Sequence, residues 1–157
     1  MNREYLLDSL DGLKALIFRL LPVGVAGSIA CVPMTTDDEP WNDAEKAVFE
    51  RALGIPGERT CWSPGGFEKV PSSKDRMARS EWVDAVAAIN HRYLFLDPDT
   101  GFYDRHNGRS EKKILINELV KILHSREALI VYRHQYWPMH VTNDTDAYSY
   151  VRMGCAC

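Results

Sequence analysis

A chain of 157 residues is long enough for one domain that buries roughly two thirds of its unfolded surface, so it needs neither disulfides nor a structural metal to hold a core. Its 19 basic and 22 acidic residues leave a formal net charge of −3, which excludes a molecule drawn as a whole onto nucleic acid or an anionic membrane. The four cysteines, Cys31, Cys61, Cys155 and Cys157, show neither zinc-knuckle spacing nor a secreted disulfide framework, so reduced thiols and a cytoplasmic protein are expected.

Leu6, Leu7, Leu10, Leu13, Ile17, Leu20 and Leu21 recur every three to four residues and predict an amphipathic helix over 3–21, ended by Pro22 and Gly24. Asp8, Asp11 and Lys14 fall on its polar face. The longest apolar stretch, 13–31, is broken by Lys14, Arg19, Pro22 and two glycines, short of the ~20 apolar residues that span a membrane. Asp8 and Asp11 also stand where a signal peptide needs a basic start.

A short β-branched run over 28–34 reads as a strand and stops at the polar segment Thr35-Thr36-Asp37-Asp38-Glu39-Pro40. A helix over 42–53 follows. Residues 54–73, rich in glycine, proline and serine, read as a long connection with one strand around 59–62. Helical periodicity returns over 74–90, and Tyr93-Leu94-Phe95-Leu96 then forms the continuous apolar run of a strand covered on both faces. A helix through Ile114, Leu115, Leu119, Ile122 and Leu123 leads into a further apolar strand over 128–132, and the tail from about 140 carries no assignable pattern. Strand, helix and strand in succession predict a single three-layer α/β domain, Rossmann-like in its βαβ portion, with a mostly parallel sheet.

In such sheets ligands bind at the carboxyl ends of the strands. Asp97-Pro98-Asp99-Thr100-Gly101 lies at such an end, where two carboxylates on either side of a proline suit a divalent cation or a substrate amine; a proline turn capped by Asp99 explains the same residues. Tyr132-Arg133-His134 follows the last strand, and His134 reads either as a proton carrier and metal ligand or as a satisfied surface histidine. Asp8, Asp11 and Lys14 suit metal and phosphoryl chemistry, or a solvated helix face. Arg76, Arg79 and Trp82 form a small basic and aromatic cluster fit for phosphate and base, although Trp82 is better suited to the core, whereas Glu118 lies too far along its helix to reach the rim.

The segments Tyr5-Leu6-Leu7-Asp8-Ser9-Leu10-Asp11-Gly12-Leu13-Lys14, Met34-Thr35-Thr36-Asp37-Asp38, Arg79-Ser80-Glu81-Trp82, Phe95-Leu96-Asp97-Pro98-Asp99-Thr100-Gly101 and Tyr132-Arg133-His134 occur in that order. Together they resemble a family of bacterial and mobile-element proteins that carries a YLGD-x-x-D-x-x-K start, a TPDD turn, an FLDPDNGL loop and a YQH strand end. The resemblance implies Asp8, Asp11, Lys14, Asp97, Asp99 and His134 as site residues and implies no particular activity. Leu7, Thr100 and Arg133 depart from the family's glycine, asparagine and glutamine. The acidic loop is also loosely similar to the Asp-Pro-Pro-Tyr loop of amino-methyltransferases. However, Gly24 and Gly27 precede their strand instead of following it, which argues against S-adenosylmethionine.

The leading expectation is a metal-dependent phosphoesterase or nuclease acting on nucleic acid or a nucleotide. Asp97 and Asp99, with Asp8 and Asp11, would hold Mg²⁺ or Mn²⁺, His134 would move the proton and Lys14 would steady developing charge. The alternatives are a degenerate methyltransferase-like domain that binds S-adenosylmethionine, or a non-enzymatic interaction protein that uses the acidic rim or an exposed tryptophan among Trp41, Trp62 and Trp137.

Overall fold

A computed structural model describes residues 6, 9–72, 74–98, 102–103, 114–124 and 126–131. The elements in order are α1 (Ser9–Leu20), the single turn α2 (Val23–Ala26), β1 (Ile29–Pro33), α3 (Asp43–Leu53), α4 (Arg76–Ala87), β2 (Tyr93–Asp97), β3 (Phe102–Tyr103), β4 (Ile114–Leu115), α5 (Ile116–Leu123) and β5 (Ala128–Val131). Strands β1, β2 and β5 form a parallel sheet in that order, and β3 pairs with β4 in parallel. The chain is an α/β fold, as its alternation of strands and helices predicts.

Register explains why β2 reads as unbroken apolar sequence. Leu94 lies opposite Ala30 and Leu129, and Phe95 lies opposite Cys31 and Ile130, so the strand is flanked on both edges. Side chains alternate across a strand. Ala30, Val32, Leu94 and Leu96 point to one face and pack with Trp82, Val83 and Val86 of α4 and Ile122 of α5. Ile29, Cys31 and Phe95 point to the other, with Phe18 of α1, Phe49 and Leu53 of α3, and Trp41. Helices therefore cover both faces, and each core side chain so buried contributes about 1.5–3 kcal/mol. β5, at the edge, is only half-buried.

The helix ends follow local chemistry. Asn42 caps α3 in a reciprocal box: its Oδ1 accepts from Glu45 N at 3.0 Å, and Glu45 Oε2 accepts from Asn42 N at 2.9 Å. Gly54 ends α3 at φ +70°, a conformation that glycine adopts without strain. Asp75 Oδ1 accepts from Ala78 N at 3.1 Å and caps α4. At the opposite ends, buried Arg126 donates to the carbonyls of Val86 and Ala87 in the last turn of α4, of Ile89 just beyond it and of Ile122 in α5, so one guanidinium closes two helices.

The connection 54–73 holds two 3-10 turns, Gly57–Arg59 and Pro64–Gly66, and the expected extended piece pairs against the β1 edge, with Cys61 N donating to Cys31 O at 2.8 Å. Ile114 and Leu115 belong to β4, not to the helix that follows. Among the described residues no helix is long and apolar enough to cross a membrane.

Helix α1 corrects the amphipathic reading. Its buried stripe is Asp11, Lys14, Ala15 and Phe18, while Leu13, Leu16, Ile17 and Leu20 face outward, Leu20 at 75% exposure. With leucines around most of its circumference, periodicity could not choose the inward face. The choice is made by Phe18, which meets Phe95 edge-on with ring centroids 4.8 Å apart.

Candidate functional site

Asp97 is the last residue of β2, the central strand, and lies on the α1 side of the sheet two residues beyond Phe95. Its carbonyl accepts from Met34 N at 3.2 Å, which ties the exit of β2 to the exit of β1, and its side chain is 1% exposed. A carboxylate in such a position demands a partner. Lys14 supplies one: its Nζ donates to Asp97 Oδ2 at 2.9 Å and to Asp11 Oδ1 at 3.0 Å, and all three side chains are at most 5% exposed.

The geometry follows from two repeat distances. Lys14 and Phe18 are one helical turn apart, about 6 Å of rise, and Asp97 and Phe95 are two strand residues apart, about 6.6 Å. An α1 that runs antiparallel to β2 can therefore set Phe18 on Phe95 and Lys14 on Asp97 at once. Asp11, three residues before Lys14, shares its helix face.

Burial pushes the Asp97 carboxyl above the ordinary aspartate value, and the adjacent Lys14 only partly counters it. For Lys14, burial pulls the pKa down, but Asp97 and Asp11 outweigh it and hold the ammonium above the ordinary lysine value. Both shifts act in one sense: the cluster retains its protons. Cys31, fully buried beside it, has its thiol pushed well up by burial and by Asp97, and burial also raises Cys61, so neither is an activated thiolate.

The structure brings together Asp11, Lys14 and Asp97 from helix and strand, a convergence that helix spacing alone does not reveal. Asp8, Asp99, His134, Thr100, Gly101 and Trp137 lie outside the described residues. β5 is the hydrogen-bonded neighbour of β2, with Val131 opposite Leu96, so the segment that precedes His134 runs beside the strand that carries Asp97.

Other expectations are corrected. Arg79 is not a free phosphate contact: its Nε and Nη2 donate to Glu118 Oε1 and Oε2, each at 2.8 Å, in a buried clamp between α4 and α5, and its guanidinium lies over Trp82. Trp82 is core, as its sequence reading favours, and Arg76 alone of the three stays exposed. Trp41 is buried and donates to Asp37 Oδ2, which gives that acidic turn a structural role, and Trp62 is half-buried with its Nε1 on Glu50. Neither is an exposed anchor for a partner.

Among the described residues no three His, Cys, Asp or Glu side chains gather as metal ligands. Asp11 and Asp97 nevertheless form a hard-oxygen donor pair, and Mg²⁺ characteristically takes one or two carboxylates and completes its shell with water and substrate phosphate. No known family model, curated protein or solved structure matches the chain.

Proposed function

We propose that this chain is a metal-dependent phosphoester hydrolase acting on nucleic acid or a nucleotide, with its site at the carboxyl end of β2. The observation that carries the reading is the buried Asp11–Lys14–Asp97 cluster, in which two carboxylates and a cation meet at the strand end where α/β sheets place ligands. Asp97 and Asp11 are the residues that would hold Mg²⁺ or Mn²⁺, with Asp99 and Asp8, each close by in sequence, as further carboxylates. When bound, the ion would supply Lewis-acid stabilisation of the phosphoryl charge. Lys14 reaches the same point as both carboxylates and carries positive charge to the phosphoryl oxygens; His134 moves the proton. The free thiols Cys31 and Cys61 support a cytoplasmic location.

Thermal unfolding of wild type and Asp97→Asn with Mg²⁺ or Mn²⁺ tests the reading, followed by metal-dependent hydrolysis of a single-stranded oligonucleotide and of an aryl phosphodiester. A metal at a hundred times its dissociation constant adds about 2.7 kcal/mol to the wild type and nothing to Asp97→Asn. An equal rise in both proteins, or none in either, refutes the site. A rise with S-adenosylmethionine alone overturns hydrolysis in favour of methyl transfer.

A further inference from the structure

Helix α1 turns its charges inward and its hydrocarbon outward. Asp11, Lys14, Ala15 and Phe18 are buried, whereas Leu13, Leu16, Ile17 and Leu20 are 47%, 50%, 37% and 75% exposed. Their spacing of three, one and three residues sets them in one stripe, about 10.5 Å long, on the side of the helix opposite the sheet. The other long helices follow the usual rule: α3 shows Asp43 and Arg51 to solvent, and α4 shows Arg76, Ser80, Glu81 and Asp84. Among the described residues nothing covers the α1 stripe.

Its size and charge pattern say what fits there. The four side chains expose roughly 400 Å², and about 600 Å² with exposed Gly12, Arg19 and Pro22 around them, the upper end of what a monomeric protein leaves bare. Two such patches face to face bury about 1,200 Å², the area at which specific protein interfaces begin. The stripe itself holds no charge, so it has no means of selecting a partner of opposite sign, and it meets what a self-complementary contact requires. With two α1 helices antiparallel across a twofold axis between Leu16 and Ile17, Leu13 meets the partner's Leu20 and Leu16 meets the partner's Ile17. Gly12 then stands opposite the partner's Leu21, and nothing lies within 4 Å of a Cβ placed on Gly12, so the two backbones can close there. The two Arg19 side chains fall toward opposite ends of the seam, and like charges do not oppose each other.

We propose that the Leu13–Leu16–Ile17–Leu20 face of α1 is the interface of a homodimer, in which α1 packs antiparallel against α1 of a second copy. With an area at the lower bound for a specific contact, the dimer is concentration-dependent, with a dissociation constant on the order of 10–100 µM.

Two measurements on the full chain decide it. Sedimentation velocity is run from about 1 µM to about 500 µM on wild type and on Leu16→Glu combined with Leu20→Glu. Wild type passes from one chain to two across that range. The double variant sets carboxylates from each copy against the other's hydrocarbon and stays a single chain, a weakening of about tenfold or more. A wild type that is monomeric throughout overturns the proposal, and so does a dimer of unchanged affinity in the variant, because the contact then lies elsewhere. The second measurement needs no variant and therefore survives a double variant that does not fold. Wild-type copies carrying photo-leucine, one batch isotopically light and one heavy, are mixed, irradiated and digested. Light α1 peptides become linked to heavy α1 peptides. Links from α1 only to other segments of its own chain, or no α1 links at concentrations where wild type is a dimer, overturn the proposal.

Discussion

Lys14→Met is the sharpest test of how the α1–β2 contact is held together. In wild type, Nζ lies 3.0 Å from Asp11 and 2.9 Å from Asp97, with all three groups withdrawn from water. At an effective dielectric of 20 each contact carries about 5 kcal/mol of gross attraction, much of it offset by desolvation of the ions. Removing one partner of a buried pair costs about 3–5 kcal/mol, because buried Asp97 loses the ammonium beside it, and we expect a loss in that range at neutral pH. The variant has one escape. Asp97, already raised above its ordinary value, can take up a proton, and each unit between its pKa and the solution pH costs about 1.4 kcal/mol. The loss therefore shrinks steadily as pH falls from neutral. Urea unfolding followed by tryptophan fluorescence, with buried Trp41 and Trp82 as reporters, reads it directly, with the denaturant slope unchanged. A loss below about 1 kcal/mol, the range of solvent-exposed pairs, or one that does not vary with pH, would refute the argument.

Two further outcomes follow from the same physics. Because the folded pKa of Asp97 is raised above its ordinary 3.8, its contribution to stability is fully present below 3.8 and is lost as pH rises through the folded value. Wild type therefore gains stability relative to Asp97→Asn as pH is lowered from neutral toward 3.8, and urea titrations of the pair that slope the other way contradict the burial assigned to this carboxyl. Arg79→Lys replaces a fork that satisfies both oxygens of Glu118 with a single point charge, so it destabilises by about 2–4 kcal/mol in the same assay. A change under about 0.5 kcal/mol would mean that α4 and α5 do not depend on this clamp.

Much of the architecture was legible because it rests on short-range rules. Asn42 before a periodic run, Gly54 after it and the unbroken apolar stretch of β2 each state their structure locally. The α4 boundaries were overestimated at both ends, since Asp75 caps from outside and Ala88 to Asn90 leave the helix. Asp97 was readable as a strand-end carboxylate from the apolar run before it. Its partner was not, because Lys14 lies 83 residues earlier on a helix whose leucines advertise a different inward face. The one local sign was that Asp11, Lys14 and Phe18 recur on a single stripe.

The sequence by itself thus determined the succession of main helices and the strands of the three-stranded parallel sheet, though not α2, β3 or β4, since hydrophobic period, caps and strand–helix alternation all act between near neighbours. Only the tertiary structure decided which face of α1 is buried and, with it, that Asp11 and Lys14 meet Asp97. The energy that selects this face is not in the helix. It comes from Phe18 against Phe95 and from a carboxylate that, 1% exposed at the end of β2, accepts burial only beside a cation.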